Sequence, residues 1–142
     1  MAQTTVREGG CQCGAVRFRA AGTPHIALAC HCSACKRRTG ATFGVGVYYD
    51  DSQIEFRGGA MRSFEFRSDE TGRWIRNEFC ERCGSAITWT LEKFPGVRAI
   101  AGGSFDDPDW FDIERHIWTR SARKDACFPE GMPLFEQAAP AP

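Results

Sequence analysis

The chain has 142 residues, of which 42% are hydrophobic and 25% charged, and its 18 basic residues are balanced by 18 acidic ones. This length suits one ordinary domain with a buried core, and the lack of a basic excess argues against a general nucleic-acid binder. No apolar run approaches the roughly 18 residues that a membrane span needs, so we expect no association with membranes.

The N-terminal stretch MAQTTVREGG is polar and lacks the apolar segment of a signal peptide. We therefore expect a cytoplasmic protein, in which the reducing environment keeps thiols free. A single domain is expected over residues 1–142, with its core at about 10–135 and a frayed Pro/Ala tail at 136–142.

Alternating apolar and polar residues predict strands along most of the chain. The predicted strands are, in chain order, AVRFRA (15–20), FGVGVYY (43–49), QIEFR (53–57), RSFEFR (62–67), SAITWTL (85–91) and IERHIWT (113–119). Helical composition is found in CSACKRRTG at 32–40, where Gly40 is in position to cap the C-terminus. The pattern indicates a mainly β domain with antiparallel sheets and little helix.

Seven of the eight cysteines lie in three short groups. Without a secretory signal, such a pattern is more typical of metal binding or catalysis than of disulfides. Two thiolates separated by two residues can converge from one turn on a tetrahedral zinc ion. One such pair alone could equally be a redox pair, but three groups in one short chain favour metal. The first group is Cys11 and Cys13 in GGCQCG, the second is Cys30, Cys32 and Cys35 in CHCSAC, and the third is Cys80 and Cys83 in FCERCG.

The seven thiols suggest one site of four ligands and one of three. Structural zinc has four protein ligands, whereas catalytic zinc has three and an open position. The second group can close around one ion with little loop entropy, which leaves the first and third groups to meet across 66 intervening residues and stabilise the fold. Gly14 and Gly84 follow directly on these two groups, where the turns need a positive φ.

Another partition would join the first group to Cys30 and Cys32, or complete a site with His31. Adjacent side chains in an extended segment point to opposite faces, so His31 is poorly placed to share an ion with both neighbouring cysteines. The alternative for His31 is a solvated or hydrogen-bonded side chain near the site. Cys127 stands alone in DACFPEG and is expected to be a buried, inert thiol.

Four segments, in this order, resemble the glutathione-dependent formaldehyde-activating enzyme family, which also includes centromere-protein-V-like proteins: GGCQCGAVRF, CHCSACKRRTGATFG, FCERCGSAITW and HIWTRSARKDACFPEGMPLFE. The resemblance implies stacked antiparallel sheets and two zinc ions, with the first and third groups forming the structural site and the second group the catalytic site. It also implies a carbon–sulfur lyase that joins formaldehyde to glutathione as S-hydroxymethylglutathione. The chain has DACF where many members have a tryptophan after the RS segment, which affects the expected shape of one pocket wall.

The chemistry of a three-thiolate zinc is compatible with this activity. Its open position can hold water, a substrate thiolate or a carbonyl oxygen. Three anionic sulfurs weaken the Lewis acidity of the ion, which favours thiol addition to an aldehyde over hydrolysis. Glutathione has two carboxylates, and Lys36, Arg37 and Arg38 beside the second group are candidates to bind them. Basic residues on a solvated turn can also lack any specific role.

Three residues are candidates for a general acid or base: His31, Glu78 and His116. The sequence does not distinguish them, and His116 alternates with Ile117 at a position that also fits a solvent-facing side chain. The alternative to an enzyme is a zinc-stabilised binding module, in which a fourth protein ligand closes the second site. A DNA-binding zinc finger fits less well, because the chain lacks paired histidines and basic balance.

Overall fold

The fold consists of ten strands and one short α-helix within residues 4–140, the part of the chain that this computed structural model describes. The helix, α1, is Ser33–Thr39. The strands are β1 (Val6–Gly10), β2 (Val16–Ala21), β3 (Ile26–Cys30), β4 (Gly44–Asp50), β5 (Ile54–Gly58), β6 (Met61–Arg67), β7 (Trp74–Cys80), β8 (Ala86–Leu91), β9 (Val97–Ala101) and β10 (Arg115–Ile117).

The strands form two sheets. Three of them pair antiparallel in the order β1-β2-β5, and the other seven follow the order β10-β3-β4-β9-β8-β7-β6. Every pairing in the larger sheet is antiparallel except that of β10 with β3, which is parallel. The prediction of a mainly β fold with stacked antiparallel sheets is confirmed.

The main core lies between the two sheets. Val16 and Phe18 of β2 pack there with buried residues of the larger sheet, among them Ala27, Val47 and Ile87. The ring of Phe18 meets that of Phe105 edge to face, with the ring centroids 5.3 Å apart, an arrangement that aromatic quadrupoles favour. Burial of these apolar side chains is the main stabilising term of the fold.

The opposite face of the larger sheet carries a second apolar cluster. Side chains alternate across a strand, so Ala27 of β3 lies in the main core while Ile26, Leu28 and Cys30 form a separate buried cluster with which Tyr48 packs. The second cysteine group is thereby attached to a face of the sheet that the smaller sheet does not cover.

The six predicted strands are all present, although the last is shortened to the three residues of β10. The predicted helix is also present, and Gly40 caps it in the left-handed conformation with φ +69°. Strands β1, β3, β7 and β9 were not predicted. All five residues of β3 are buried, so this strand is an unbroken apolar run rather than an alternating one, and β7 and β9 lack a strict alternation of burial.

At the C-terminus, the carbonyl oxygen of Gln137 accepts a hydrogen bond from the Trp118 amide at 3.1 Å. The predicted frayed tail stays a prediction, and its last two residues, 141–142, lie outside the described residues, as do residues 1–3. In the described part of the chain, no helix has the length and apolar character needed to cross a membrane.

Candidate metal centres and adjoining cavity

The first and third cysteine groups meet where the two sheets are joined. The first group lies in the turn between β1 and β2 of the smaller sheet, and the third lies at the end of β7 and in the turn before β8 of the larger one. In these turns the Gly14 amide donates to the carbonyl of Cys11 at 3.1 Å, and the Gly84 amide to that of Cys80 at 2.9 Å. Both glycines have the expected positive φ, +80° and +77°, which an L side chain would strain.

The four sulfurs of this cluster have the spacing of a tetrahedral metal site. All four lie within 4.8 Å of one another. The Cys11 and Cys13 sulfurs are 3.5 Å apart, and those of Cys13 and Cys80 are 3.8 Å apart. Tetrahedral coordination with Zn–S bonds of about 2.3 Å gives sulfur–sulfur distances of about 3.8 Å. The donor set and its spacing therefore fit zinc.

Further hydrogen bonds hold these sulfurs in place. The Val16 amide donates to the Cys11 sulfur at 3.2 Å, and the Ser85 hydroxyl lies 3.2 Å from the Cys83 sulfur. Hydrogen bonds from the side chain and backbone of Ser85 lower the pKa of Cys83 to about 5. The same hydroxyl accepts from the Gln12 amide at 3.0 Å and so joins the two turns. Such outer contacts fix the orientation of metal ligands.

The second cysteine group lies at the junction of β3 and α1. Cys30 ends β3, Cys32 is the N-cap of α1, and Cys35 lies in the first turn of the helix. The Cys32 sulfur accepts a hydrogen bond from the Cys35 amide at 3.4 Å, and the three sulfurs lie within 4.8 Å of one another. The structure thus brings the seven cysteines together as four and three.

The charges of the second group favour a cation among the sulfurs. Hydrogen bonds from Cys30 and Cys35 lower the pKa of Cys32 to about 2. The sulfurs of Cys32 and Cys35, together with burial, raise the pKa of Cys30 well above its usual value. The Cys32 thiol therefore ionises readily, whereas the Cys30 thiol resists ionisation. Three thiolates this close need a positive ion to balance them, which fits a thiolate-bound metal.

His31 does not belong to the three-sulfur cluster and instead makes a buried contact with His116. Its Nε2 atom is 2.9 Å from Nδ1 of His116, and Phe43 and Phe128 pack against it at ring-centroid distances of 5.1 and 5.5 Å. Burial lowers the pKa of both histidines. The expectation that His116 could face solvent is wrong, because only 6% of it is exposed.

A cavity of about 320 Å³ opens beside the second group. Its wall includes Cys30, Cys32 and Cys35 and none of the cysteines of the four-sulfur cluster. Its floor is the face of the larger sheet opposite the main core, including Leu28 and Trp89. A cavity of this size is at the lower end of the range for small-molecule sites.

Of the three basic residues on α1, Arg38 lines this cavity. Its guanidinium carbon lies 3.8 Å from the centre of the Trp89 ring, a cation–π contact. Its Nη2 atom is buried and has no hydrogen-bond partner among residues 4–140. Gly44 makes room for it, because a Cβ there would lie 2.6 Å from that nitrogen. Arg38 therefore places a cationic side chain in the cavity wall beside the second group.

The other two basic residues of α1 are directed elsewhere. The Lys36 ammonium donates to the backbone carbonyl of Ser121 at 2.6 Å, and Arg37 is exposed. Glu78, a candidate acid or base, forms an ion pair with Arg98 at 2.7 Å. Neither Lys36, Arg37 nor Glu78 contributes to the wall of the cavity.

The expectation that Cys127 is buried is wrong, because its side chain is exposed. It lies in an irregular segment, and the adjacent Phe128 instead provides the inward contact, with its ring centroid 4.9 Å from that of His116.

Sequence reasoning also missed Trp89 as a neighbour of Arg38. The alternation of SAITWTL, which puts Trp89 and Leu91 on one face, was the available signal.

The fold and its two sulfur clusters define a mainly β protein with two groups of cysteines that could hold metal ions. The chain belongs to the glutathione-dependent formaldehyde-activating enzyme family, whose sequence model matches residues 6–121. It is 28% identical to a Halomonas elongata protein named "Putative glutathione-dependent formaldehyde-activating enzyme", over 85% of each chain. Its fold is similar to the crystal structure of a Rhodobacter sphaeroides protein, with a TM-score of 0.53 and 19% identity over 90% of this chain and 98% of that one.

Proposed function

We propose that this protein is a zinc-dependent carbon–sulfur lyase that joins a thiol such as glutathione to an aldehyde, as in the formation of S-hydroxymethylglutathione. The observation that carries the proposal is the placement of the three-sulfur cluster in the wall of a cavity of about 320 Å³ that the four-sulfur cluster does not reach. In this proposal Cys11, Cys13, Cys80 and Cys83 hold a structural zinc, and Cys30, Cys32 and Cys35 hold a catalytic one.

When bound by three thiolates, zinc supplies an open coordination position and favours the ionised form of a thiol or polarises a carbonyl. Arg38 has a separate role, because it lines the cavity and its guanidinium can donate hydrogen bonds to a carboxylate of the thiol substrate. Its contact with Trp89 fixes the direction of the planar group. Lys36 and Arg37 were candidates for the same role, and the proposal now rests on Arg38, which lines the cavity.

The reaction requires no oxidant or reductant. The sulfur of the thiol adds to the carbonyl carbon, a C–S bond forms, and the carbonyl π electrons move to oxygen. The thiol gives up one proton to solvent and the adduct oxygen takes one up. We also propose one domain over residues 1–142 and a cytoplasmic location. The location is supported by the eight cysteines, none of which is in a disulfide, as suits a reducing compartment.

The test combines zinc analysis of the purified protein with calorimetric titration by glutathione. Cys32→Ser is the informative variant, because serine is a good N-cap and can take over the capping role of Cys32 in α1. Cys127→Ser is the matched control, since Cys127 is exposed and belongs to neither cluster.

We expect two zinc ions in the wild type and in Cys127→Ser, and one in Cys32→Ser, which should keep its fold and lose glutathione binding. Because thiol–aldehyde addition also proceeds unaided, catalysis is scored as acceleration of exchange between free aldehyde and adduct in NMR spectra. Two zinc ions without glutathione affinity or acceleration would refute the enzyme and favour a zinc-stabilised binding module.

A further inference from the structure

The cavity beside the three-sulfur cluster is much larger than a one-carbon aldehyde requires. Its volume is about 320 Å³. Formaldehyde has two heavy atoms, which occupy about the volume of two water molecules, or ~60 Å³. Most of the cavity must therefore accommodate some other part of the reactants.

The floor of this cavity is mainly apolar, although Asn77, which pairs with Trp89, also lines it. Ile26 and Leu28 of β3 are 5% and 9% exposed, and Trp89 of β8 is 5% exposed. Leu91 and Ile75, which pair across β8 and β7, extend the floor away from the cysteines. An apolar floor favours a hydrocarbon group, whereas a charged group there would lose its hydration without a partner.

Most of the charged residues around the cavity are at its mouth. The exposed ones in its wall are His25, Asp69, Glu70, Arg73 and Lys93. The half-buried Arg115, which pairs with Leu28, donates to the carbonyl oxygen of Pro140 at 3.3 Å. Arg38 is the cation near the cysteines, and it is covered by Trp89. A tripeptide thiol with two carboxylates suits Arg38 and the mouth, and it leaves the apolar floor for the second reactant.

We propose that the aldehyde used by this protein carries a bulky apolar group, aryl or branched alkyl, which packs on the floor formed by Leu28, Trp89 and Leu91. This inference rests on the proposed thiol–aldehyde reaction and specifies its second substrate. The product is the hemithioacetal, in which the former carbonyl carbon bears the thiol sulfur, a hydroxyl, a hydrogen and the apolar group. The bonds and protons balance as in the reaction described above.

The test compares cyclohexanecarbaldehyde with acetaldehyde at a fixed glutathione concentration, by NMR exchange between aldehyde and adduct. The quantity measured is the ratio of the two enzymatic accelerations, so that the intrinsic reactivity of each aldehyde cancels between variants. Leu91→Asn makes the floor polar while keeping the number of side-chain heavy atoms at this position. Leu134→Asn is the matched control, because Leu134 is 48% exposed and does not line the cavity.

In the wild type we expect a larger acceleration for cyclohexanecarbaldehyde than for acetaldehyde. Leu91→Asn should lower this ratio about tenfold, the scale on which apolar pockets discriminate substrates, and Leu134→Asn should leave it unchanged. Ile75→Thr, a milder change across the same strand pair, should lower the ratio in the same direction and provides a second variant if Leu91→Asn does not fold.

The outcomes separate this inference from the proposed function. Equal acceleration of both aldehydes, with a ratio unaffected by Leu91→Asn and Ile75→Thr, overturns the inference and leaves the lyase intact. Glutathione binding without acceleration of either aldehyde overturns the proposed reaction itself, and the inference with it.

Discussion

Gly44→Ala should disturb the cavity by displacing Arg38 while leaving every cysteine unchanged. A Cβ at this position would lie 2.6 Å from the Nη2 atom of Arg38, 3.3 Å from the Cβ of Cys35 and 3.5 Å from the Cγ2 of Thr39. Nonbonded heavy atoms prefer separations of about 3.5–4.0 Å, so the guanidinium must move by roughly 1 Å while the other two contacts need little adjustment. The flexible end of the arginine takes up most of the strain.

The size of the effect follows from the contacts that Arg38 loses. Leaving the ring of Trp89, 3.8 Å away, should lower the free energy of unfolding by about 0.5–2 kcal/mol. A misplaced hydrogen bond to a substrate carboxylate weakens binding by about 1.5–3 kcal/mol. At about 1.4 kcal/mol per factor of ten, glutathione affinity should fall roughly 10- to 100-fold.

Calorimetry on a double-mutant cycle tests this mechanism. The variants are Gly44→Ala, Arg38→Met and the two combined, each with its zinc content measured. If alanine acts through the arginine, the combined variant should bind glutathione no more weakly than Arg38→Met alone, because the displaced group is already gone. Additive losses in the double variant, or zinc lost from Gly44→Ala, would show that the alanine acts through the cysteines instead.

Three further changes test the clusters and the fold around them. Cys80→Ser should remove the structural zinc and lower the free energy of unfolding by more than about 3 kcal/mol in guanidinium titrations. This loss is part of the roughly 10–16 kcal/mol that structural zinc supplies in zinc-finger peptides. An unchanged unfolding midpoint would refute a structural role for the ion. Ser85→Ala removes the hydroxyl that lies 3.2 Å from the Cys83 sulfur. It should weaken zinc binding at the four-sulfur cluster about 10- to 100-fold, as measured against a competing chelator. An unchanged zinc affinity would mean that this contact does not tune the site. His116→Phe should lower the free energy of unfolding by about 1–3 kcal/mol, because both ring nitrogens of His31 are then without a hydrogen-bond partner. An unchanged free energy of unfolding would show that the contact between the two histidines is dispensable.

The sequence predicts elements well where the local signal and the tertiary environment agree. Strand β2 alternates strictly between the core and a less buried side, and α1 has Cys32 as N-cap and Gly40 as C-cap. Strand β3 is buried throughout, one face in the main core and the other on the cavity. Its run of apolar residues has no period of two, so it could not be distinguished from other buried segments by pattern.

Prediction of the site likewise succeeded for local patterns and failed for contacts between segments that are distant in the chain. Cysteine spacing is local information, so the seven sulfurs could be assigned to groups before their positions were known. The partner of Arg38 could not be predicted in this way, because Trp89 is 51 positions away (89 − 38) and reaches it through the pairing of β4 with β9 and of β9 with β8. The contact between His31 and His116 likewise depends on the parallel pairing of β10 with β3, which the sequence does not reveal.

The topology gives the two clusters different physical roles. The four-sulfur cluster connects turns of separate sheets, so its ion would join segments that are distant in the chain and restrict the unfolded ensemble most strongly. The three-sulfur cluster lies within residues 30–35, at the end of a strand that the core already holds from its other face. Loss of the first ion should therefore reduce stability, whereas loss of the second should reduce ligand binding while leaving the sheets paired. This separation makes Cys32→Ser a test of chemistry and Cys80→Ser a test of folding.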